Sequence, residues 1–164
     1  MNVYVYYRSV GANNVSARRS AANDLIKRIS EDRGNCTYIS KSYTKAYAAV
    51  CAASSLIGCD IETINYSGGL ERLVKKMRFY LPANDIRKIL LYDDPHKYAT
   101  YAWTRKECLF KAHNRRNDIG YVNIANADDV VTLRDMKLVT KNIAENVVLT
   151  CYCPIGADIE WVSA

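Results

Sequence analysis

Residues 56–64 read Leu-Ile-Gly-Cys-Asp-Ile-Glu-Thr-Ile, and this short segment is the starting point for predicting the fold of the chain. Apolar and polar side chains alternate along it. This predicts a β-strand, because successive side chains of a strand point to opposite faces. One face is apolar and suited to burial. The other carries Gly58, Asp60 and Glu62, so the strand would present two carboxylates beside a glycine that leaves room for a close neighbour.

The neighbouring carboxylates of Asp60 and Glu62 define the first candidate site. Two like charges this close repel each other unless a cation compensates them or one carboxylate takes up a proton. Carboxylate oxygens suit a hard cation such as Mg²⁺, which typically takes one or two carboxylates together with substrate phosphates. The alternative, from these residues alone, is a surface strand with two solvated acids.

A second candidate site lies on a predicted helix at residues 103–111, which read Trp-Thr-Arg-Lys-Glu-Cys-Leu-Phe-Lys. Trp103, Glu107 and Lys111 recur every four residues, so one stripe of the helix carries an aromatic side chain, an acid and a base. Lys106 stands beside this stripe, and the surrounding cations should keep Glu107 ionised. The alternative is an ordinary exposed helix with ion pairs on its surface.

Strand and helix patterns alternate along the remaining sequence. Helices are predicted for residues 17–29, 70–80, 83–91 and 95–112. Strands are predicted for residues 2–7, 36–40, 47–53, 56–64, 120–125, 129–133, 146–153 and 158–162. Short connections join consecutive strands, so we expect a mixed α+β fold in which most strands pair antiparallel.

Composition narrows the classes of partner and the cellular setting. The 23 Lys and Arg residues outnumber the 17 Asp and Glu residues and give a net charge of +6, which favours anionic partners. We expect no nucleic-acid partner, because no RNA-recognition motif accompanies the aromatic residues. The six cysteines form no Cys-x-x-Cys pair and should be structural thiols, which favours a reducing, cytoplasmic location. We expect no membrane association, because no apolar run approaches membrane-spanning length.

The two candidate sites together resemble the signature motifs of the 4′-phosphopantetheinyl transferase superfamily. Those motifs are roughly (I/V)-G-(I/V)-D-(I/V)-E and W-(S/T)-x-K-E-(A/S)-x-x-K, in the order and with the kind of separation found here. Residues 38–42 also resemble the family segment N-(I/L)-S-H-S. Residues 19–28 are similar to a helix of the surfactin-synthetase-activating type that begins with a coenzyme A-contacting arginine. The resemblance extends over about residues 15–115.

The resemblance implies a fold of two small α/β halves with mainly antiparallel strands, packed as a pseudo-dimer. Residues 1–56 would form a shortened N-terminal half. Residues 57–164 would form the C-terminal half that carries the metal and catalytic motifs. Members of the superfamily occur as homotrimers of short chains or as single chains with two similar halves. The length of this chain lies between the two forms, and the strand–helix–strand–strand pattern that precedes the metal motif near residue 57 favours the second form, a monomer.

The resemblance also implies a set of functional residues. The metal, Mg²⁺ or Mn²⁺, would be held by acidic side chains from both motifs, and coenzyme A by cationic and hydroxyl side chains. These residues are Asp60, Glu62 and Glu107 for the metal, Lys106 and Lys111 for the pyrophosphate of coenzyme A, and Arg19, Ser40 and Lys41 for its 3′-phosphate and nearby groups.

The implied activity is that of a holo-acyl-carrier-protein synthase. A serine hydroxyl of an acyl or peptidyl carrier protein would attack the β-phosphorus of coenzyme A, and 3′,5′-ADP would leave. Glu107, or a metal-bound water that it orients, would take the serine proton, and Lys106 and Lys111 would stabilise the developing charge. Such an enzyme serves fatty acid, polyketide or nonribosomal peptide biosynthesis, and the positive charge of this chain suits an acidic carrier.

The sequence departs from the family pattern at three places. Lys41 replaces the family histidine, the family's G-K-P stretch is absent upstream of Ile39, and residues 112–116 replace a glycine-rich continuation. These departures keep open a degenerate, non-catalytic module that binds coenzyme A or a carrier protein. An unrelated Mg²⁺-dependent nucleotide hydrolase is a third alternative.

Overall fold

The computed structural model describes residues 1–11, 14–34, 36–113 and 123–164. Within these residues, a strand and a helix are followed by three strands, three helices and four further strands. In chain order the elements are β1 Asn2–Ser9, α1 Val15–Arg33, β2 Tyr38–Tyr43, β3 Tyr47–Ala53, β4 Gly58–Thr63, α2 Gly69–Met77, α3 Ala83–Leu90, α4 Pro95–His113, β5 Val130–Leu133, β6 Met136–Ala144, β7 Val147–Pro154 and β8 Asp158–Ser163.

The first sheet has the strand order β2-β3-β1-β8. Strand β1 pairs antiparallel with β3 and parallel with β8, and β2 pairs antiparallel with β3. Helix α1 covers the outer face of this sheet, where Leu25 and Ile29 are buried against Tyr6 and Val50. The helix buries a single stripe and leaves its other faces, which carry most of its charged residues, to solvent.

The second sheet has the strand order β4-β7-β6-β5, with every neighbouring pair antiparallel. Helices α2, α3 and α4 cover its outer face. Met77, Ile89 and Leu109, one from each helix, belong to the same buried cluster as Leu138 and Tyr152 of the sheet. The strands of this sheet therefore place one face against the helices and leave the other face for the first sheet.

The inner faces of the two sheets pack against each other and form the central core. Val5 and Cys51 of the first sheet lie in one fully buried cluster with Ile61, Leu149 and Cys151 of the second. The order of layers is α1, first sheet, second sheet, and α2–α4. This architecture confirms the expected α+β fold with two halves and mainly antiparallel strands, because each half is a small sheet covered by helix on its outer side.

One strand of the second half, β6, differs from the sequence-based prediction, whereas β8 lies within one residue of its predicted bounds. Strand β6 was not predicted, because its lysines and asparagine obscure the alternation that buries only Leu138 and Thr140 in its middle. Strand β8 lies beside β1, so the end of the chain completes the first sheet. The strand expected at residues 120–125 lies partly outside the described residues, and residues 123–125 form no strand. The division at residues 56 and 57 stays a prediction.

The first helix is longer than its apolar pattern indicated. It begins at Val15 with Asn14 as N-cap, whose Oδ1 accepts the Ala17 amide hydrogen at 2.8 Å, and it continues to Arg33. Its last turn carries Glu31, Asp32 and Arg33, which have no apolar periodicity to reveal a helix. None of the helices described is long and apolar enough to cross a membrane.

Candidate active site

Strand β4 and helix α4 come together at Gly58, and this contact builds the candidate site. A Cβ at position 58 would overlap the backbone carbonyl oxygen of Cys108 and lie 3.2 Å from the Cβ of Ala112. Only a glycine allows the helix to approach so closely. Because Asp60 and Glu62 share the face of Gly58, the approach also brings their carboxylates against the helix, as the alternation predicted.

Asp60 is buried and has an asymmetric hydrogen-bonding arrangement. Its Oδ1 accepts hydrogen bonds from Lys111 Nζ at 2.6 Å and from Ser42 Oγ at 2.7 Å. Lys111 Nζ also donates to the carbonyl oxygen of Cys59 at 3.2 Å. The other carboxylate oxygen, Oδ2, is buried and has no hydrogen-bond partner among the described residues. The two motifs predicted from sequence thus meet directly, through Asp60 and Lys111.

Burial and charge act in opposite directions on this pair. Burial raises the pKa of Asp60, and the nearby ammonium of Lys111 and the Ser42 hydrogen bond only partly offset that rise. Burial by itself lowers the pKa of Lys111, but the negative charge of Asp60 outweighs burial and the pKa is raised. Lys111 therefore remains an ammonium group at neutral pH and can serve as a fixed positive charge.

Glu62 is half-buried beside Asp60 and takes a hydrogen bond from Trp103. Burial raises the pKa of Glu62, and the charge of Asp60 raises it further, to about 7. Like charges close together in a partly buried place favour a bound cation, which would relieve the repulsion. Trp103 is held in turn by an edge-to-face contact with Tyr80, with ring centroids 5.0 Å apart.

The remaining residues of the second motif occupy different surroundings. Glu107 is half-buried on α4, between Trp103 and Lys111 along the helix. Lys106 donates from Nζ to the carbonyl oxygen of Tyr80 at 3.1 Å, on the side of the helix that faces the end of α2. The structure therefore separates the ammonium groups of Lys106 and Lys111, which bind different partners.

The acidic donor set fits a hard divalent cation. The orphaned Oδ2 of Asp60 marks an acceptor without a donor, and the pKa of Glu62, raised by burial and by repulsion from Asp60, marks negative charge that a cation would compensate. Across residues 1–11, 14–34, 36–113 and 123–164, no group of three or more His, Cys, Asp or Glu side chains is close enough to hold a metal ion. A cation bound here would thus take one or two carboxylates and fill its remaining positions with substrate oxygens and water, as Mg²⁺ commonly does.

Comparison with known families agrees with these motifs. The family model of the 4′-phosphopantetheinyl transferase superfamily matches residues 56–146, more than half of the chain. The chain belongs to this superfamily. Membership supports a transferase activity of the phosphopantetheinyl type, and it implies coenzyme A and carrier proteins as partners. No curated protein matches the chain significantly.

The three residues expected near the 3′-phosphate of coenzyme A in a superfamily member do not share one surface. Arg19 on α1 and Lys41 on β2 are exposed. Ser40 is buried, and its Oγ accepts the amide hydrogen of Cys59 at 2.9 Å. Neighbouring residues of a strand point to opposite faces, so Ser40 and Lys41 of β2 are directed apart. The described residues extend only to His113 of the unusual continuation at 112–116.

A cleft of about 430 Å³ opens beside Glu62, between α2 and the first turns of α4. Its lining mixes apolar and polar side chains, which is typical of small-molecule sites in superfamily members and other enzymes alike. His96, in the first turn of α4, lies in this lining, and its Nδ1 binds the carbonyl oxygen of Asn65 at 2.9 Å. The lining includes Glu62, Asn65, Leu73, Lys76, Phe79, Tyr80, His96 and Trp103.

Two residues of the superfamily motifs have roles that sequence reasoning missed. Ser42 lies two residues after Ser40, and the alternation of β2 is the signal that could have placed both on the buried face. Arg105 was counted among the cations around Glu107, but it is fully buried. It donates to Thr140 Oγ1 at 3.0 Å and to the backbone carbonyls of residues 124, 126 and 128. Arg105 therefore supports the fold, and no charge from it reaches the candidate site directly.

Proposed function

We propose that the chain transfers the 4′-phosphopantetheine arm of coenzyme A to a serine of an acyl or peptidyl carrier protein and releases 3′,5′-ADP. One observation carries the proposal. The ammonium of Lys111 contacts a buried carboxylate, Asp60, one of whose oxygens has no partner in the described part of the chain. This unit combines positive charge for a phosphate with a free oxygen for a cation, and the superfamily match covers all of it.

The cation in this proposal is Mg²⁺, with Mn²⁺ as a substitute. Asp60, Glu62 and Glu107 are its candidate ligands, of which one or two would bind it directly in the arrangement described, and it would supply positive charge to the diphosphate oxygens of coenzyme A. Two features of the described residues support this assignment. Burial and repulsion raise the pKa of Glu62 to about 7, and Glu107 lies one helical turn from Lys111 on the helix that packs against Asp60 and Gly58.

The chain's own residues account for the rest of the chemistry. The serine oxygen forms a bond to the β-phosphorus, the bond from that phosphorus to the oxygen bridging it to the α-phosphate breaks, and the electron pair leaves with 3′,5′-ADP. Lys111 would place positive charge near the leaving group, as phosphoryl transfer requires, and Lys106 would add to it only after its ammonium leaves the Tyr80 carbonyl oxygen. Glu107, or a water that it orients, accepts the serine proton. The cleft beside Glu62 and Trp103 offers space for part of a substrate.

The proposal is tested by incubating the protein with coenzyme A, Mg²⁺ and an apo carrier protein and then weighing the carrier. Transfer predicts a gain equal to one phosphopantetheine group. Asp60→Asn, which keeps the shape of the side chain but removes its charge, should reduce the rate by about 100-fold or more, as expected for loss of a group that stabilises transferring charge. Asp158→Asn, an exposed change on β8, should leave the rate unaltered.

Full activity in folded Asp60→Asn would contradict the assignment of this carboxylate. The same assay addresses the second candidate function, a module that binds coenzyme A or a carrier without catalysis. That alternative is favoured by the Asp60–Lys111 ion pair and by the lack of three converging metal-ligand side chains in the described part of the chain. Binding of coenzyme A by calorimetry, without any gain in carrier mass, would support it.

We further propose that the chain is a monomer of the surfactin-synthetase-activating type with a shortened N-terminal half, residues 1–56, and a C-terminal half, residues 57–164. The two covered sheets that pack face to face support a pseudo-dimer that needs no second chain to complete its core, and β8 of the C-terminal segment crosses over to complete the first sheet. The six cysteines are free thiols, which suits the reducing cytoplasm. The net charge of +6 suits an acidic carrier.

A further inference from the structure

Strand β2 of the first sheet reaches the candidate site through two buried side chains that lie two residues apart. Ser40 and Ser42 are 9% and 8% exposed, and they share one face of the strand. The Ser40 hydroxyl accepts the Cys59 amide hydrogen at 2.9 Å, and the Ser42 hydroxyl donates to Asp60 Oδ1 at 2.7 Å. Strand β2 of the first sheet thus holds strand β4 of the second sheet at Cys59 and at Asp60, which carries the buried carboxylate.

Both side-chain donors to Asp60 act on the same oxygen, and the backbone amide of Ile61 adds a further hydrogen bond to the carboxylate. Lys111 and Ser42 bind Oδ1, and neither binds Oδ2. Two donors on one oxygen restrain the rotation of the carboxylate, so the position of the other oxygen is fixed as well. Buried acceptors in native proteins are nearly always hydrogen-bonded, and an exception calls for an ion, a water or a functional reason.

The two donors contribute differently. Lys111 brings a full positive charge, which lowers the pKa of Asp60. Ser42 brings no charge, so its main contribution is the hydrogen bond that restrains the carboxylate. Residues outside the coordination sphere commonly orient a metal ligand by hydrogen-bonding to it. The Ser42 hydroxyl, which binds one oxygen of the Asp60 carboxylate, is placed to act in this way.

We propose that Ser42 is a positioning residue for phosphopantetheine transfer. Its hydroxyl, delivered by the first sheet, holds Oδ1 of Asp60 so that Oδ2 is the oxygen available to a divalent cation. The inference rests on the proposed function and deepens it. The N-terminal half contributes to the metal site through this contact, apart from any contact that it makes with coenzyme A.

The test is direct binding of Mn²⁺, measured by electron paramagnetic resonance with and without coenzyme A. Ser42→Ala should weaken Mn²⁺ binding by about 10- to 100-fold, the usual effect of removing a residue that orients a metal ligand. Ser42→Thr retains the hydroxyl and should bind Mn²⁺ more like the parent than like Ser42→Ala. Should Ser42→Ala not fold, Ser42→Cys keeps the volume with only a weak donor and serves the same comparison.

Thr44→Val is the matched control. Thr44 is buried at the end of the same strand, and its Oγ1 accepts the amide hydrogens of Ala46 and Tyr47 at 3.2 Å. Its loss should lower the free energy of unfolding without changing Mn²⁺ affinity, because it does not contact Asp60. A merely structural Ser42 would behave like Thr44, and unchanged Mn²⁺ binding in Ser42→Ala would overturn the proposal. Equal losses in Ser42→Ala and Ser42→Thr would overturn it too.

The outcomes also separate this inference from the proposed function. A parent protein that transfers phosphopantetheine, with Mn²⁺ binding untouched by Ser42→Ala, refutes only the role of Ser42. A parent protein that neither binds Mn²⁺ nor modifies a carrier refutes the proposed function itself. With the inference correct, raised Mg²⁺ should restore part of the transfer rate in Ser42→Ala, since the defect lies in cation affinity.

Discussion

Asp60 and Arg105 are buried charged residues that differ in how many of their polar atoms have hydrogen-bond partners. Arg105 donates to three backbone carbonyls and to Thr140, and its guanidinium lies 5.2 Å from the ring centroid of Tyr101. Asp60 has donors on one oxygen only, within the described residues. A buried charge whose hydrogen-bonding groups have partners stabilises the fold. A buried carboxylate oxygen without a donor can instead bind a ligand.

At this scale we predict that Arg105→Ala lowers the free energy of unfolding by at least about 3 kcal/mol, because it leaves several buried acceptors without a donor. Urea unfolding measures the change. Arg78→Ala is the control, since Arg78 is exposed and its removal should change stability by less than about 0.5 kcal/mol. Similar losses in the two variants would show that the buried network adds nothing to stability.

The contact between β4 and α4 is the element on which the candidate site depends. The strand supplies Asp60 and Glu62, the helix supplies Glu107 and Lys111, and Gly58 permits their close approach. Neither element could present the site alone, because an isolated strand exposes its carboxylates to water and an isolated helix has no buried partner for Lys111.

We predict that Gly58→Ala pushes α4 away from β4, because the added Cβ overlaps backbone atoms that cannot rotate away. The free energy of unfolding should fall by about 1–3 kcal/mol, as in other overpacked cores. The rate of phosphopantetheine transfer should fall as well, since Lys111 moves relative to Asp60. Denaturant unfolding and the carrier-mass assay measure the two effects.

Gly156→Ala provides the comparison for this variant, because a Cβ there meets no atom within 4 Å. Its stability should lie within about 0.5 kcal/mol of the parent. If Gly58→Ala kept full stability and activity, the close strand–helix approach would not be required for the site.

The whole molecule places its site where the two sheets meet at their edges. Strand β2 ends the order of the first sheet and β4 ends the order of the second, and Ser42 and Asp60 join them. The same four-layer packing buries many groups that titrate only at high pH. Burial raises the pKa of the tyrosines Tyr80, Tyr98, Tyr101 and Tyr152 and of the thiols Cys51 and Cys108.

We therefore predict that stability falls at alkaline pH. In the unfolded chain a tyrosine loses its proton near pH 10, whereas burial first and the charge of Asp129 second raise the pKa of Tyr101 to about 12. Between these values the folded state binds more protons than the unfolded state, so the free energy of unfolding decreases as the pH rises. Urea unfolding on both sides of this window measures the decrease.

Tyr101→Phe should reduce this alkaline loss, because the folded and unfolded states then differ by one proton fewer. Tyr38→Phe, at a position that is 42% exposed, should keep the parent's dependence on pH. An alkaline loss that is identical in the parent and in Tyr101→Phe would contradict the assignment to Tyr101.

The sequence by itself determined the elements that carry the site and the faces on which their side chains lie. Strand β3 has the predicted ends, and the predictions for α3 and α4 are correct to within one residue. The alternation of residues 56–64 and the spacing of Trp103, Glu107 and Lys111 reflect backbone periodicity, which is local. The superfamily resemblance rests on the same two segments, and the match over residues 56–146 confirms it.

Only the tertiary structure decided which element covers each face, because pairing partners are set by packing between residues far apart in sequence. It placed β8 beside β1 and gave β6 a central position that its polar composition hides. It buried Arg105, whose charge favours an exposed position although its spacing places it on the apolar stripe of α4. It also brought Ser42 to Asp60, a contact that exists because two separate sheets bury their apolar faces against each other.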